Sequence, residues 1–421
     1  MSIQVIGAVV LLAVFVVGTL TRVNLGALAL AGSFVLGLWL AHEDLKTLLS
    51  GFPADLFLVL FGVTYLFGIA TSNGTIDWVV AAATRAVGAR RGAIPIVVFV
   101  ISAIPTAIGA AGPAAVALLA PTAARIAERN GINPILAGLL VVHGATAGAF
   151  SPVNPAAVIV TATMQRSGLS VDPALLFVGN FLYNTVLGAV LLLVFRVGAR
   201  RLEVVPVGAG TGEPEAAEQP DRPPFTVVIG ATLVAFGLVA AGSVLLRLDV
   251  GVLAVVLAIA LHLAFPASSA AAMRKVSWDV VLLICGILTL VATLQRIGTV
   301  ELVGHAIAGL DSPLLGALLI LFLAALVSSM ASSTGTLGAV IPLSLPLLAG
   351  GAIGTPGFAV ALSASVTVVD ASPFSTNGAL VLAGLPEDER PRAYRMLLTW
   401  GAAMVVTAPI VTWIVFVLLP S

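Results

Sequence analysis

The stretch DLFLVLFGVTYLFGIATSNGTID, residues 55–77, decides the fold because its pattern recurs in DVVLLICGILTLVATLQRIGTVE, residues 279–301. The positions matched at identical spacings are Asp55, Gly62, Gly74, Thr75 and Asp77 in the first stretch and Asp279, Gly286, Gly298, Thr299 and Glu301 in the second. Further along, Pro121 precedes Ser151-Pro152 by the same interval as Pro342 precedes Ser372-Pro373. Repeated helix breakers in an apolar chain indicate two copies of one membrane unit. In membrane proteins this arrangement is typical of a transporter with a site between the copies.

The composition places the chain in a membrane. Hydrophobic residues make up 60% of the chain and charged residues only 9%, whereas soluble domains carry about 25% charged residues. Long apolar runs without alternation predict helices rather than a barrel. The formal net charge of zero argues against nucleic acid as a partner. Cys285 is the single cysteine, so no internal disulfide forms, and the first apolar run follows no basic leader, so we expect a retained span.

The lengths of the apolar runs predict the architecture of each copy. The pairs 92–109/113–128 and 312–331/334–350 are too short to cross about 30 Å of hydrocarbon singly, so we interpret them as re-entrant hairpins. The pairs 133–147/153–165 and 356–370/376–385 are interpreted as single spans broken in the middle. The predicted fold is an all-α polytopic membrane protein with two inverted-topology repeats, 1–202 and 225–421, joined by a polar linker, 203–224. Each repeat has three spans, a re-entrant hairpin, a broken helix and a last span.

The distribution of basic residues predicts the orientation. A cytoplasmic linker places all but four of the 19 Lys and Arg residues in the cytoplasm, the exceptions being Lys46, Arg166, Arg247 and Arg296. In this scheme the two repeats run in opposite directions and both termini lie outside. We therefore expect a multi-pass protein of the inner (plasma) membrane.

Helix breaks at membrane depth are the first candidates for a binding site. Ser151-Pro152-Val153-Asn154-Pro155 and its counterpart at 370–378 lose backbone donors to proline, and lipid cannot satisfy the carbonyl groups that are freed. Packing of a simple proline kink against neighbouring helices is the alternative for each break. Matched positions favour the functional interpretation.

The hairpin tips are the second candidates. The second tip, 328–336, contains six hydroxyl side chains, which suit a hard cation or a carboxylate; a single such hydroxyl more often serves helix packing, so the cluster is what indicates a site. The first tip, 109–114, offers only backbone groups, so a helix N-terminus would have to bind an anion there. No Lys or Arg lies at either tip or break, so a doubly charged anion would need cations that travel with it.

Two ionisable residues lie near the breaks. Asp370 could ligate a cation or cap the following break, and His143 could relay a proton, donate to the substrate or serve a structural role. We expect Asn180 and Asn184 to form interhelical hydrogen bonds. We interpret Asn73-Gly74 as the end of one helix and expect Thr75 to cap the next.

Two stretches resemble the MatC-type malonate/dicarboxylate carriers: GFPADLFLVLFGVTYLFGIATSNGTIDWVV (51–80) and INPILAGLLVVHGATAGAFSPVNP (132–155). These carriers are similar in architecture to the divalent anion/sodium symporters of the ion transporter superfamily. The resemblance implies a homodimer whose transport domain, about 92–170 and 312–390, moves like an elevator against a scaffold, about 1–75 and 225–297.

The resemblance also implies the site residues. One sodium site would use Ala111, Gly112 and the Phe150 carbonyl, and a second would use Ser328, Ser332, Ser333 and the Ala371 carbonyl, with Asp370 as a candidate ligand. The positions expected to hold the substrate, between tips and breaks, are Gly112, Pro113, Ser151, Pro152, Asn154, Ser333, Thr334, Ser372, Pro373, Ser375, Thr376 and Asn377.

The resulting expectation is a carrier rather than an enzyme. It would import a small dicarboxylate, malonate foremost, with sodium ions as the coupling ion and the lipid bilayer as surroundings. The alternatives are a proton-coupled or exchanging dicarboxylate carrier that uses His143 or Asp370, and a cation/proton antiporter-type permease on the same scaffold.

Overall fold

The protein is all-helical throughout the part of the chain that the structure describes. This computed structural model describes residues 2–21, 23–86, 93–166, 168–201, 224–246, 248–300, 302, 312–329 and 333–419. Within these residues, five helices are long and apolar enough to cross a membrane: Ala54–Ser72, Pro173–Phe195, Trp278–Arg296, Thr355–Gly384 and Arg390–Leu418. The other apolar helices are shorter. The architecture is that of a polytopic membrane protein, whereas the inverted orientation of the two halves remains a prediction.

The first half contains the predicted series of elements. Its helices are α1 (Ile3–Leu20), α2 (Leu25–Phe34, continued by a π-helical turn Val35–Leu40), α3 (Leu45–Ser50), α4 (Ala54–Ser72), α5 (Thr75–Ala86), α6 (Ile94–Ala107), α7 (Gly112–Arg129), α8 (Pro134–Gly148), α9 (Pro155–Arg166) and α10 (Pro173–Arg201). The helices α6 and α7 pack on each other and form the first hairpin. The helices α8 and α9 form the first broken helix.

The second half repeats this order. Its helices are α11 (Val227–Leu245), α12 (Val250–Ala264), α13 (Pro266–Ser269), α14 (Trp278–Arg296), α15 (Pro313–Ser328), α16 (Ser333–Ala349), α17 (Thr355–Thr367), α18 (Thr376–Gly384) and α19 (Arg390–Thr412, continued by a π-helical turn Trp413–Leu418). A 3-10 turn, Ala272–Lys275, precedes α14, and another, Val368–Ala371, follows α17. The helices α15 and α16 form the second hairpin, and α17 and α18 the second broken helix. The predicted linker, 203–224, lies almost wholly outside the described residues.

Two reciprocal helix crossings join the halves. The helix α2 packs on α14, and α12 packs on α4. A side chain added at Gly286 would collide with the backbone of Gly26, and one at Gly62 would lie 2.8 Å from the carbonyl oxygen of Gly251. Because only glycine permits these approaches, the recurring glycines of the opening stretch are packing residues.

A second pair of reciprocal contacts joins the hairpins to the broken helices of the opposite half. The second arm of the first hairpin, α7, packs on α18, and the second arm of the second hairpin, α16, packs on α9. The arms are short: α6 has 14 residues, or about 21 Å of helix. Each tip contacts a helix break of its own half through hydrogen bonds.

The turn between α4 and α5 differs from the prediction that Thr75 caps α5. Gly74 adopts a φ of +77°, and Thr75 is already the first residue of the helix. The side-chain oxygen of Asn73 accepts hydrogen bonds from the Thr75 N–H at 3.0 Å and from the Thr75 hydroxyl at 2.6 Å. That prediction was wrong, because the asparagine one position before the glycine supplies the cap.

Candidate functional site

The two broken helices are interrupted as their prolines predict. The first is open between Gly148 and Pro155, and the second between Ala371 and Thr376. Proline lacks the N–H that would continue the helical ladder, so neighbouring groups must satisfy the carbonyls left over. The first break is deeply packed, with Phe150 fully buried and Ser151 only 5% exposed.

Side chains from the first break are hydrogen-bonded to the first hairpin tip. The hydroxyl of Ser151 donates to the Ala107 carbonyl at 2.6 Å. The side-chain amide of Asn154 donates to the Thr106 carbonyl at 2.7 Å and to the Ala110 carbonyl at 2.9 Å. Two predicted substrate residues therefore contact the tip directly, and their donors are used within the protein.

The second tip holds a compact cluster of oxygens. The hydroxyl of Ser328 donates to the Val366 carbonyl at 2.7 Å, and that of Ser333 donates to the Asp370 carboxylate at 2.5 Å. The two hydroxyl oxygens lie 3.0 Å apart. We call Ser328, Ser333, Asp370 and the Val366 carbonyl the oxygen cluster. Four oxygens from three segments in one place suit a hard cation such as sodium.

The oxygen cluster differs from the expected second sodium site in its backbone contribution. The Val366 carbonyl faces the two serines, whereas the Ala371 carbonyl lies 3.1 Å from a side-chain position built on Gly378. Ser332 lies outside the described residues. The contribution of Val366 could not be predicted from the sequence, because every residue has a backbone carbonyl. Among the described residues, no group of three or more His, Cys, Asp or Glu gathers, so a cation here would rely on one carboxylate, that of Asp370, together with hydroxyls and a carbonyl.

The second break is organised by Ser375. Its hydroxyl contacts the carbonyls of Asp370 and Ser372, and it accepts a hydrogen bond from the Gly378 N–H at 3.2 Å, which caps α18. The Ser372 hydroxyl accepts from the Phe374 N–H at 3.3 Å. Pro373 is buried and Thr376 is exposed.

The first tip faces the second break. A side chain added at Gly112 would come within 3.8 Å of the Asn377 amide nitrogen. Asn377 is 4% exposed, and its side-chain oxygen has no hydrogen-bond partner in the described part of the chain. The N–H groups of Ala111 and Gly112, where α7 begins, and of Thr376 and Asn377, where α18 begins, also have no acceptor among the described residues. Two helix N-termini with unpaired donors therefore meet here, next to the exposed ring of Pro113.

His143 belongs to a closed network beside this region. Trp400 Nε1 is a donor only, and it donates to His143 Nε2 at 3.0 Å, so that nitrogen carries no proton. The other ring nitrogen, Nδ1, must then donate to the Asn184 side-chain oxygen at 3.1 Å. Both nitrogens of the fully buried ring are occupied, which favours the structural role over a proton relay.

Of the two asparagines expected to bond between helices, only one does so. Asn184 bonds to His143 across α8 and α10, whereas the Asn180 amide donates to the Leu176 carbonyl of its own helix. Sequence reasoning also missed Trp400, because its distance from His143 along the chain conceals the contact.

Comparisons with known proteins concern the fold and the first part of the chain. Residues 1–149 match the model of the dicarboxylate carrier protein MatC N-terminus. The solved structure of the YdaH transporter of Alcanivorax borkumensis resembles this one with a TM-score of 0.61, at 14% sequence identity, over 92% of this chain and 96% of that chain. No curated protein matches this chain in sequence. The predicted resemblance to the MatC-type carriers is therefore confirmed for residues 1–149, which are similar to the N-terminal part of the dicarboxylate carrier protein MatC.

Proposed function

We propose that the protein is a secondary active transporter that imports a small dicarboxylate, malonate foremost, together with sodium. The observation that carries this proposal is the meeting of the α7 and α18 N-termini beside a break that also borders the oxygen cluster. The description of the matching family and the fold shared with a transporter support the same conclusion.

The substrate would lie between the first tip and the second break. Unpaired N–H groups of Ala111, Gly112, Thr376 and Asn377 point to a carboxylate there, since helix N-termini favour negative charge. The buried amide of Asn377 supplies one further donor. By the reciprocal packing of α16 on α9, the second carboxylate would face Thr334 and the region of Ser151 and Pro152.

A cation bound at the oxygen cluster would offset part of the free-energy cost of binding an anion at this site. A helix terminus contributes at most about 2 kcal/mol, whereas moving an ionised group out of water costs several kcal/mol. The residues fit sodium: Asp370 supplies charge, and the hydroxyls of Ser328 and Ser333 and the Val366 carbonyl supply neutral oxygens. Bound there, sodium would bring positive charge close to the second break and thereby to the substrate.

An elevator motion and a homodimer complete the proposal on the strength of the family resemblance. The helices α4 and α14 contact α9 and α16, respectively, and these contacts would form the sliding boundary between scaffold and transport domain. The placement of the linker in the cytoplasm and of both termini outside rests on the basic residues.

Uptake into proteoliposomes tests the proposed function. Labelled malonate should accumulate when sodium is imposed outside and should fail to accumulate when choline replaces it. Ser333→Ala should remove the sodium dependence, because it removes one hydroxyl of the oxygen cluster. Ser344→Ala is the matched control, since this buried serine lies in the same helix and bonds only to the Ile341 carbonyl. Accumulation that ignores the sodium gradient would refute the coupling.

A proton-coupled or exchanging carrier is the second candidate, and Asp370 carries it. Its carboxylate is bonded to the Ser333 hydroxyl and has no basic partner among the described ion pairs, so it could bind a proton in place of sodium. Uptake driven by a pH gradient in sodium-free buffer and lost in Asp370→Asn would support this candidate. A cation/proton antiporter is disfavoured, since Asp370 is the one carboxylate at a break.

A further inference from the structure

The two hairpin tips are not equivalent in how their carbonyl groups are used. The helix α6 ends at Ala107, and carbonyls at a helix C-terminus are orphan acceptors that can bind a cation in broken-helix transporters. At this tip the carbonyls of Thr106, Ala107 and Ala110 already accept hydrogen bonds from Asn154 and Ser151. The Ala111 carbonyl accepts from the N–H groups of Ala114 and Ala115.

The orientation of the Asn154 amide follows from its surroundings. Its oxygen accepts from the Ala156 N–H at 2.9 Å, so the NH₂ group must be the end that faces the Thr106 and Ala110 carbonyls. Both amide hydrogens are thereby used, and the side chain is 3% exposed. The partly positive NH₂ group occupies the position between two carbonyls that a cation would need.

The corresponding position in the second half behaves differently. Asn154 follows Ser151 by three residues, and Ser375 follows Ser372 by the same interval. The hydroxyl of Ser375 contacts carbonyls of its own break, Asp370 and Ser372, and not the second tip. The second tip instead presents the oxygen cluster, and in the described part of the chain no amide side chain donates to its oxygens.

From this asymmetry we infer that the first hairpin tip is closed by the protein's own donors, with the amide of Asn154 in the place of a cation, so that a protomer couples to at most one cation. The Ala111 carbonyl, one of the groups that the family resemblance assigns to the first sodium site, is among the acceptors already used. The consequence for coupling rests on the proposed function, whereas the closed tip rests on geometry alone. Sodium-activated uptake should accordingly follow a Hill coefficient of about one.

A change of Asn154 to aspartate tests the closed tip. In Asn154→Asp a carboxylate oxygen would face two carbonyl oxygens, and a cation would relieve the repulsion. This change is tested in a protein that also carries Ser333→Ala, which removes one hydroxyl of the oxygen cluster and should abolish sodium binding there. The melting temperature of each purified variant is measured in sodium and in choline, in mildly alkaline buffer.

The expected effects of sodium on the melting temperatures distinguish the first tip from the second. Sodium should stabilise the unchanged protein, should not stabilise S333A, and should stabilise N154D/S333A again. Asn130→Asp is the control, because the Asn130 amide donates only to the Ile126 carbonyl at the end of α7. N130D/S333A should show no sodium response. Undiminished stabilisation of S333A by sodium would overturn the inference, as would a folded N154D/S333A without a sodium response.

A direct count of bound sodium keeps the inference testable if N154D/S333A does not fold. Equilibrium dialysis of the unchanged protein with radioactive sodium should find no more than one ion per protomer, and two ions would overturn the inference. A count of zero would support the closed first tip but would contradict the proposed sodium coupling. The failure of the inference and the failure of the proposed function can therefore be distinguished.

Discussion

At the scale of single residues, two buried asparagines that each have an unpaired side-chain oxygen differ in their surroundings. The side-chain oxygens of Asn377 and Asn180 both lack a hydrogen-bond partner in the described part of the chain. Asn377 lies where α18 begins, close to Gly112 of the first tip, whereas Asn180 lies within α10. Of the two, only Asn377 borders the proposed anion site, where its side-chain nitrogen, 3.8 Å from a side-chain position built on Gly112, would donate to a carboxylate.

Asn377→Ala should therefore weaken malonate binding by about tenfold, which corresponds to the loss of one charge-assisted hydrogen bond. Asn377→Asp should weaken it further, because its charge repels the substrate. Asn180→Ala is the control and should leave the Kd of malonate unchanged. Isothermal titration of the three variants measures these affinities, and an unaltered Kd in both Asn377 variants would contradict the proposed site.

His143 supports a prediction about pH dependence. Its ring is held as one neutral tautomer between Trp400 and Asn184, and a glutamine can accept and donate in the same two directions. His143→Gln should consequently transport with the same pH profile as the unchanged protein. His143→Ala should lower the free energy of unfolding by about 1–3 kcal/mol, because it leaves Trp400 and Asn184 unpaired. A shifted pH profile in the glutamine variant would show that the histidine titrates during transport.

At the scale of helices, the reciprocal crossings of α2 on α14 and of α12 on α4 depend on glycine. Both crossings bring backbone to backbone, and the positions concerned are Gly26, Gly286, Gly62 and Gly251. Without a hydrophobic driving force between helices in lipid, such close packing is a main source of association.

Gly286→Ala should destabilise the protein by about 1–3 kcal/mol, because the added methyl group overlaps the backbone of Gly26. Gly237→Ala is the matched control: this helical glycine has nothing within 4 Å of an added side chain, and alanine has the higher helix propensity. Thermal unfolding in detergent should give a lower Tm for the first variant and an equal or higher Tm for the second. Equal Tm values for the unchanged protein, Gly286→Ala and Gly237→Ala would show that this crossing does not contribute to stability.

At the scale of the whole molecule, two ion pairs, the first exposed and the second half-buried, have different positions relative to the proposed moving boundary. Arg166, at the end of α9, pairs with Asp55 of α4 and so joins the predicted transport domain to the predicted scaffold. Arg296, at the end of α14, pairs with Glu43 at 2.8 Å within the predicted scaffold.

Breaking the pair of Arg166 and Asp55 should change the rate of malonate uptake without changing the affinity for malonate, since the proposed elevator motion would separate α9 from α4. Exposed ion pairs contribute about 0–1 kcal/mol, so the change in rate should not exceed about fivefold. The double variant Asp55→Arg/Arg166→Asp, which exchanges the two charges, should restore part of the uptake rate. Glu43→Gln should leave the rate unchanged, and an equal effect of both pairs would argue against a boundary between α4 and α9.

Prolines, glycines and hydrophobicity predict much of this fold, because helix breaks and apolar lengths are local properties. The Ser-Pro pairs place both breaks correctly, and the lengths of the runs predict both hairpins. The short helices α3 and α13 were not predicted, since they lie in brief polar connections. The Val366 carbonyl, the pairing of His143 with Trp400 and the clamp of Asn154 on the first tip were also missed. These contacts join residues far apart in the chain, and backbone acceptors have no sequence signature.

The proposed anion site at the first tip and the proposed cation site at the second tip should be energetically coupled. Isothermal titration of malonate into the purified protein, in sodium and in choline buffer, measures that coupling directly. Tighter malonate binding in sodium, with the difference abolished in Ser333→Ala and retained in Ser344→Ala, is the predicted result, and by linkage malonate must tighten sodium binding equally. The same malonate affinity in both buffers would contradict the account.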